Sequence, residues 1–285
     1  MLGSMRALAA LLVLALLAAC VPVPDDMKDE VAPPSSLGGG GRDSSPFAPL
    51  DDGGAESSGL HFRVRAYGQD AAARIEQDAE ASFGRLTNDA NLIGFQPGKP
   101  YDIVVYGSQS EYHSKTQQPA SSDAVVVGGT LYTYYGPALA QTVAHHMTHL
   151  VLREYLGNLA VRNADYRWID EGLACYEESA AARTAGDSSD LFAPVRALLR
   201  SQPLAMTQIL QMPPNNDYGR ASSMWFAESE SLVEFMLLKG RPQFAAFVQS
   251  IRDGRTSDQS ITRAFPGQFI DLNSFYVAWD QSLSQ

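Results

Sequence analysis

The sequence is poor in cysteine. Only Cys20 and Cys175 are present, too few for a disulfide-built scaffold. Basic residues are also scarce: 21 Lys and Arg stand against 32 Asp and Glu, a net charge of -11. With no Lys/Arg cluster, the chain lacks the electrostatic footprint of a nucleic-acid-binding protein. The N-terminal apolar run, Leu8 to Leu17 with its flanking small residues, falls short of the roughly 20 residues that span a bilayer as a helix. No internal repeat is present. Histidine is rare too, five in all, yet three of the five sit within one five-residue window.

The N-terminus is set aside before the fold is considered. Residues 1–19 read as a signal peptide, with Arg6 in the basic region and Leu8 to Leu17 as the apolar stretch. It ends in Leu17-Ala18-Ala19-Cys20, which resembles the lipobox of bacterial lipoproteins. That resemblance implies cleavage before Cys20 and lipidation of its thiol, hence export and attachment to a membrane through the lipid. Val21 follows where the familiar enterobacterial sorting rule would have an inner-membrane aspartate, so the expected location is the periplasmic side of the outer membrane. The alternative is an ordinary signal peptide with a coincidental cysteine.

Residues 20–58 are rich in Pro and Gly, including Pro33-Pro34 and Gly38 to Gly41, with few large apolar residues to offset ordering entropy. They are expected to form a disordered tether with a mean reach of about 30–40 Å. Residues 59–285 are expected to fold. Leu60 to Tyr67 alternates apolar and polar residues as a strand. Asp70 to Leu86 reads as an amphipathic helix with Ala73, Ile75, Ala79, Phe83 and Leu86 inward. Tyr101 to Tyr106 is a strand, Ser108 to Lys115 a short helix, and Ala124 to Val127 with Thr130 to Tyr135 a pair of strands about Gly128-Gly129. Pro137 opens a helix that runs to Leu156 and stops at Gly157. Helices are then expected over Glu171–Ala182, Leu191–Ser201, Met206–Met212, Ser222–Leu238, Pro242–Arg252, Ser257–Ala264 and Leu272–Ser284. Strands first and helices later predict an α+β fold, a small N-terminal mixed sheet followed by a mostly helical C-terminal lobe.

The dense window is His145-His146-Met147-Thr148-His149. On a helix, His145 and His149 are one turn apart on the same face, the spacing with which two imidazoles grip one metal ion. A third ligand must come from elsewhere, and Arg167-Trp168-Ile169-Asp170-Glu171-Gly172-Leu173-Ala174 offers Glu171. Together the two segments resemble those of gluzincin metallopeptidases, particularly bacterial peptidase MA-like domains, in which a His-Glu-x-x-His helix is completed by the glutamate of a Trp-x-x-Glu-Gly-x-Ala segment. The resemblance runs from about Leu60 to the C-terminus. It implies a zincin-like fold holding one Zn2+ through His145, His149 and Glu171, the last lying 22 residues after His149.

The departures matter as much. The family's general base is the glutamate after the first histidine, and here that position is His146. The carboxylate that orients a ligand histidine in the family often lies four residues after the third ligand, which here is Cys175. Both changes point to a domain that is hydrolytically weak or inactive. Tyr218 and Tyr176 are candidates for the oxyanion-stabilising tyrosine of such peptidases, with no spacing to choose between them. Tyr132, Tyr134 and Tyr135 either line a strand that pairs with an extended peptide or simply stabilise the sheet. Trp168 reads as a core anchor and Asp170 as a helix N-cap. Cys175 is either a small buried hydrophobe or a further ligand that closes the coordination sphere. His61 and His113 have no assigned role.

Three functional readings follow: a weak or inactive lipid-anchored metallopeptidase-like domain whose groove binds a peptide or envelope protein; an active zinc peptidase with another base; and a metal-free scaffold in which His145 and His149 merely bond to their neighbours.

Overall fold

A computed structural model describes residues 45–92, 94–157, 166–184, 198–211 and 220–284. Cys20, the leader segment and Tyr218 lie outside the described residues, as does most of the helix expected over Leu191–Ser201. The described part is a mixed α/β structure with one five-stranded sheet and nine helices. In chain order these are β1 (Gly54–Ser58), β2 (Phe62–Tyr67), α1 (Gln69–Asp89), β3 (Tyr101–Tyr106), α2 (Gln109–Thr116), β4 (Ala124–Val127) and β5 (Thr130–Tyr134). After them come α3 (Leu139–Leu156), α4 (Arg167–Thr184), α5 (Met206–Leu210), α6 (Arg220–Lys239), α7 (Arg241–Arg252), α8 (Ser257–Ala264) and α9 (Leu272–Ser282). Among the described residues the strands thus all precede α3, as the sequence predicts.

The sheet order is β1-β2-β3-β5-β4. The three central strands are parallel, and the two outer strands run antiparallel to their neighbours. β2 and β3 are joined through α1, as parallel neighbours require a crossover. β2 buries Phe62, Val64 and Ala66 on one face and turns Arg63 and Arg65 to the other, where they meet Asp102 and Glu56. β3 buries residues of both faces, so Ile103-Val104-Val105 reads as a continuous apolar run.

One sheet face and the helices enclose the main core. The other face carries a second cluster of Val104, Tyr106, Tyr112 and Tyr132, covered by Phe47 and Leu50. That cover corrects the extent of the expected tether. Residues 54–58 pair with β2 as an edge strand. Ahead of them, Phe47 stacks edge-on against Tyr132 and the Tyr106 hydroxyl donates to the Ala48 carbonyl at 2.9 Å. Lys115 adds a further tie by donating to the Pro49 carbonyl and Asp51. Low hydropathy misled here because the segment contributes only two apolar side chains, and most of its anchorage is backbone hydrogen bonding.

In α1 it is Ala72, not Ala73, that lies in the buried stripe with Ile75, Ala79, Phe83 and Leu86. α3 begins at Leu139, two residues after Pro137, and ends at Gly157, whose φ of 65° is the left-handed value that favours glycine. α4 begins four residues before Glu171, because Trp168 and Ile169 are buried on the same stripe as Gly172 and Leu173. Asp170 is therefore not an N-cap but sits in the first turn of the helix.

α3 packs along α4, and α4 along α6. At the second junction Gly172 approaches the α6 backbone so closely that an added Cβ would lie 2.4 Å from the Ser229 carbonyl oxygen. Small side chains here let α4 press against α6 while it presents its opposite stripe to α3. No described helix is long and apolar enough to cross a membrane.

Candidate metal centre

α3 is buried continuously from Val143 to Leu152. His145 and His149 project from one face of it toward α4, as their spacing predicts, and α4 returns Glu171. The Nε2 atoms of His145 and His149 are 3.2 Å apart. Glu171 Oε2 lies 3.8 Å from the first and 3.5 Å from the second. The three residues are 3–6% exposed, and Glu171 Oε2 is buried without a hydrogen-bond partner.

An orphaned buried carboxylate oxygen is costly unless something else satisfies it. The Nε2–Nε2 edge is within hydrogen-bond range, whereas neither edge to Glu171 is a hydrogen bond. The three edges bracket the separation of about 3.3–3.6 Å expected between tetrahedral ligands with bonds of about 2.0–2.2 Å. Two imidazoles and a carboxylate are a donor set that suits zinc and its borderline neighbours. The residues present therefore fit a single divalent ion.

The outer nitrogens of both imidazoles are held by carboxylates. His145 Nδ1 donates to Glu178 Oε2 at 3.0 Å, within the buried layer. His149 Nδ1 lies 2.9 Å from Asp170 Oδ1 as an ion-pair contact without hydrogen-bond geometry. The hydrogen bond to Glu178 fixes the His145 ring with Nε2 facing inward, and Asp170 places a second carboxylate behind His149, as accompanies metal-binding histidines. The resemblance predicts such a carboxylate at position 175, where a thiol stands. The carboxylates stand instead at 178 and 170. Glu178 was legible as the next residue on the same helix stripe, since 171, 175 and 178 recur at helical spacing. Asp170 was not, because the expected helix began after it.

Electrostatics follow from this packing. Burial alone would lower the pKa of His145, but its contacts with Cys175 and Glu178 outweigh this and hold it well above the ordinary value. Burial pushes the Asp170 carboxyl up, yet His149 beside it prevails and keeps it below the usual range. His146 is lowered well below the ordinary imidazole value, first by burial and then by His145 and His149. Its ring centroid is 5.1 Å from that of His145, and its Nδ1 is buried without a hydrogen-bond partner. His146 thus stands beside the cluster as a neutral imidazole and is not one of its converging donors.

The remaining candidates separate. Cys175 does not complete the first triangle; it groups with His145 and Glu178 in a second set. β5 is flanked by β3 and β4, so the tyrosine-bearing strand has no free edge for a peptide. Tyr132 and Tyr134 serve the sheet, with the Tyr132 hydroxyl bonded to Ser45 and that of Tyr134 donating to Asp123. Tyr135 is 58% exposed beyond the strand. Tyr176 lies on α4 under Arg183, outside the triangle. Trp168 is fully buried against Phe247, in keeping with an anchor. His61 pairs with Glu80 and stacks on Phe83, and His113 packs on Tyr112. No protein-family model matches the chain, and no curated protein is significantly similar to it.

Proposed function

We propose that this protein is a zincin-like, gluzincin-related domain that binds one zinc ion through His145, His149 and Glu171 and hydrolyses peptides weakly or not at all. The observation that carries the reading is the convergence of two Nε2 atoms and the orphaned Glu171 Oε2 at 3.2, 3.5 and 3.8 Å. The carboxylates behind both imidazoles support it. An ion bound there would supply Lewis acidity.

The chain's own residues set the limit on chemistry. A metallopeptidase of this kind needs a carboxylate after the first histidine to take a proton and pass it to the leaving amine. His146 occupies that position, buried beside two other imidazoles, where gaining a proton adds a charge next to the ion. In this reading α3 and α4 retain the ligand geometry of a peptidase while the proton shuttle is lost. Attachment to a membrane through Cys20, and a peptide or envelope protein as partner, belong to the same proposal and rest on the sequence.

The test is the metal content of the purified chain beside His145→Ala and Glu171→Gln. About one zinc per chain, lost in both variants, is expected. A folded chain that takes up no zinc would leave a metal-free scaffold. His146→Glu then probes the lost shuttle: peptide hydrolysis should rise on the order of 10²–10⁴-fold with zinc content unchanged.

A further inference from the structure

His145 belongs to two donor sets. Its Nε2 faces His149 and Glu171, its Nδ1 faces Glu178, and Cys175 joins His145 and Glu178 in the second set. In each set the ligand atoms lie within 4.8 Å of one another. Cys175 is fully buried and Glu178 is 4% exposed. On α4 the residues 171, 175 and 178 form one stripe, so one helix face presents both sets to the two turns of α3 that bear His145 and His149.

The two sets differ in chemistry. The first offers two neutral imidazoles and one carboxylate, leaving a divalent ion with a net single positive charge. The second offers an imidazole, a thiolate and a carboxylate, which neutralise a divalent ion completely. Deep burial penalises uncompensated charge, and thiolate favours soft, thiophilic ions.

We propose that Cys175, Glu178 and His145 Nδ1 form a second metal site, selective for thiophilic divalent ions such as cadmium and mutually exclusive with the first. Binding there releases the thiol proton to solvent. Nδ1 gives up its hydrogen bond to Glu178, and the imidazole proton resides on Nε2, which withdraws that nitrogen from the first set. A soft ion would therefore displace zinc by capturing the shared histidine. The inference needs only His145 from the proposed zinc site and stands or falls separately from peptidase chemistry.

The experiment is a cadmium titration of the metal-stripped full chain, reading metal per chain and the ultraviolet thiolate-to-cadmium charge-transfer band. One cadmium per chain with the band present is expected. The band should disappear in Cys175→Ser and Cys175→Ala and persist in Glu171→Gln, and excess zinc should erase it in the unaltered chain. Cadmium binding without the band, or a band that survives both Cys175 variants and so belongs to Cys20, would overturn the second site. Two metals per chain with the band intact would overturn its exclusivity. Zinc uptake without a cadmium band leaves the proposed function standing alone, and a Cys175-dependent band without zinc uptake does the reverse.

Discussion

Replacing Gly172 with alanine should destabilise this protein, although the same change in an open helix would stabilise it. Glycine within a helix costs about 1 kcal/mol relative to alanine, so propensity alone favours the substitution. At Gly172 the new Cβ would meet the Ser229 carbonyl oxygen at 2.4 Å, its carbon at 2.7 Å and Val233 Cγ2 at 2.9 Å. Two of these are backbone atoms that no rotamer change can move. α4 and α6 must separate by about 0.6–1 Å, an overpacking of the kind that costs roughly 1–3 kcal/mol or more. The clash is with backbone, so the upper end applies, and the net loss is about 2 kcal/mol. For a domain of this size Tm should fall by roughly 4–8 °C. Because Glu171 precedes Gly172, zinc affinity should fall with it. Gly84→Ala is the control: it lies within α1 with nothing within 4 Å of its added Cβ, so Tm should rise by roughly 1–4 °C. The assay is thermal unfolding by circular dichroism on both variants. If Gly172→Ala melts at or above the parent, the close approach of α4 and α6 is refuted, and with it the account of how Glu171 is seated.

Other outcomes follow from the same structure. Glu178→Gln and Asp170→Asn should each weaken zinc binding by about 10–100-fold without unfolding the chain, measured by competition with a chromogenic chelator; unchanged affinity would mean these carboxylates do not orient the ligands. Glu228 is fully buried, and burial raises its pKa to about 7 although the Leu204 amide and Tyr276 oppose the shift. The folded state therefore holds a proton that the unfolded chain releases, so this group's contribution to stability is present below about pH 4.5 and is lost as pH rises toward 7. Glu228→Gln should accordingly raise Tm relative to the parent at pH 8 and have little relative effect at pH 4.5; a gain independent of pH would refute the assignment. A chain beginning at Gly59 lacks β1 and the cover over Tyr132, and should melt lower and bind a hydrophobic dye more strongly than a chain beginning at Ser45.

By itself the sequence determined the local elements and the two halves of the site. The alternation in Phe62-Arg63-Val64-Arg65-Ala66, the buried stripe of α1 and the glycine stop at Gly157 are short-range consequences of strand and helix geometry, and they hold in the structure. The spacing of His145 and His149 fixed their common face for the same reason. Tertiary structure decided what spacing cannot encode. Only the packing of α4 against α3 sets Glu171 Oε2 near two imidazoles while leaving it without a hydrogen bond, and supplies carboxylates from positions 170 and 178 in place of the thiol at 175. Only the strand order shows that β5 is interior, and only the pairing of residues 54–58 with β2 makes a segment of low hydropathy part of the fold. Periodicity reports which face of an element is buried. Its partner across the interface depends on how separate elements pack, and that information resides in no single window of the chain.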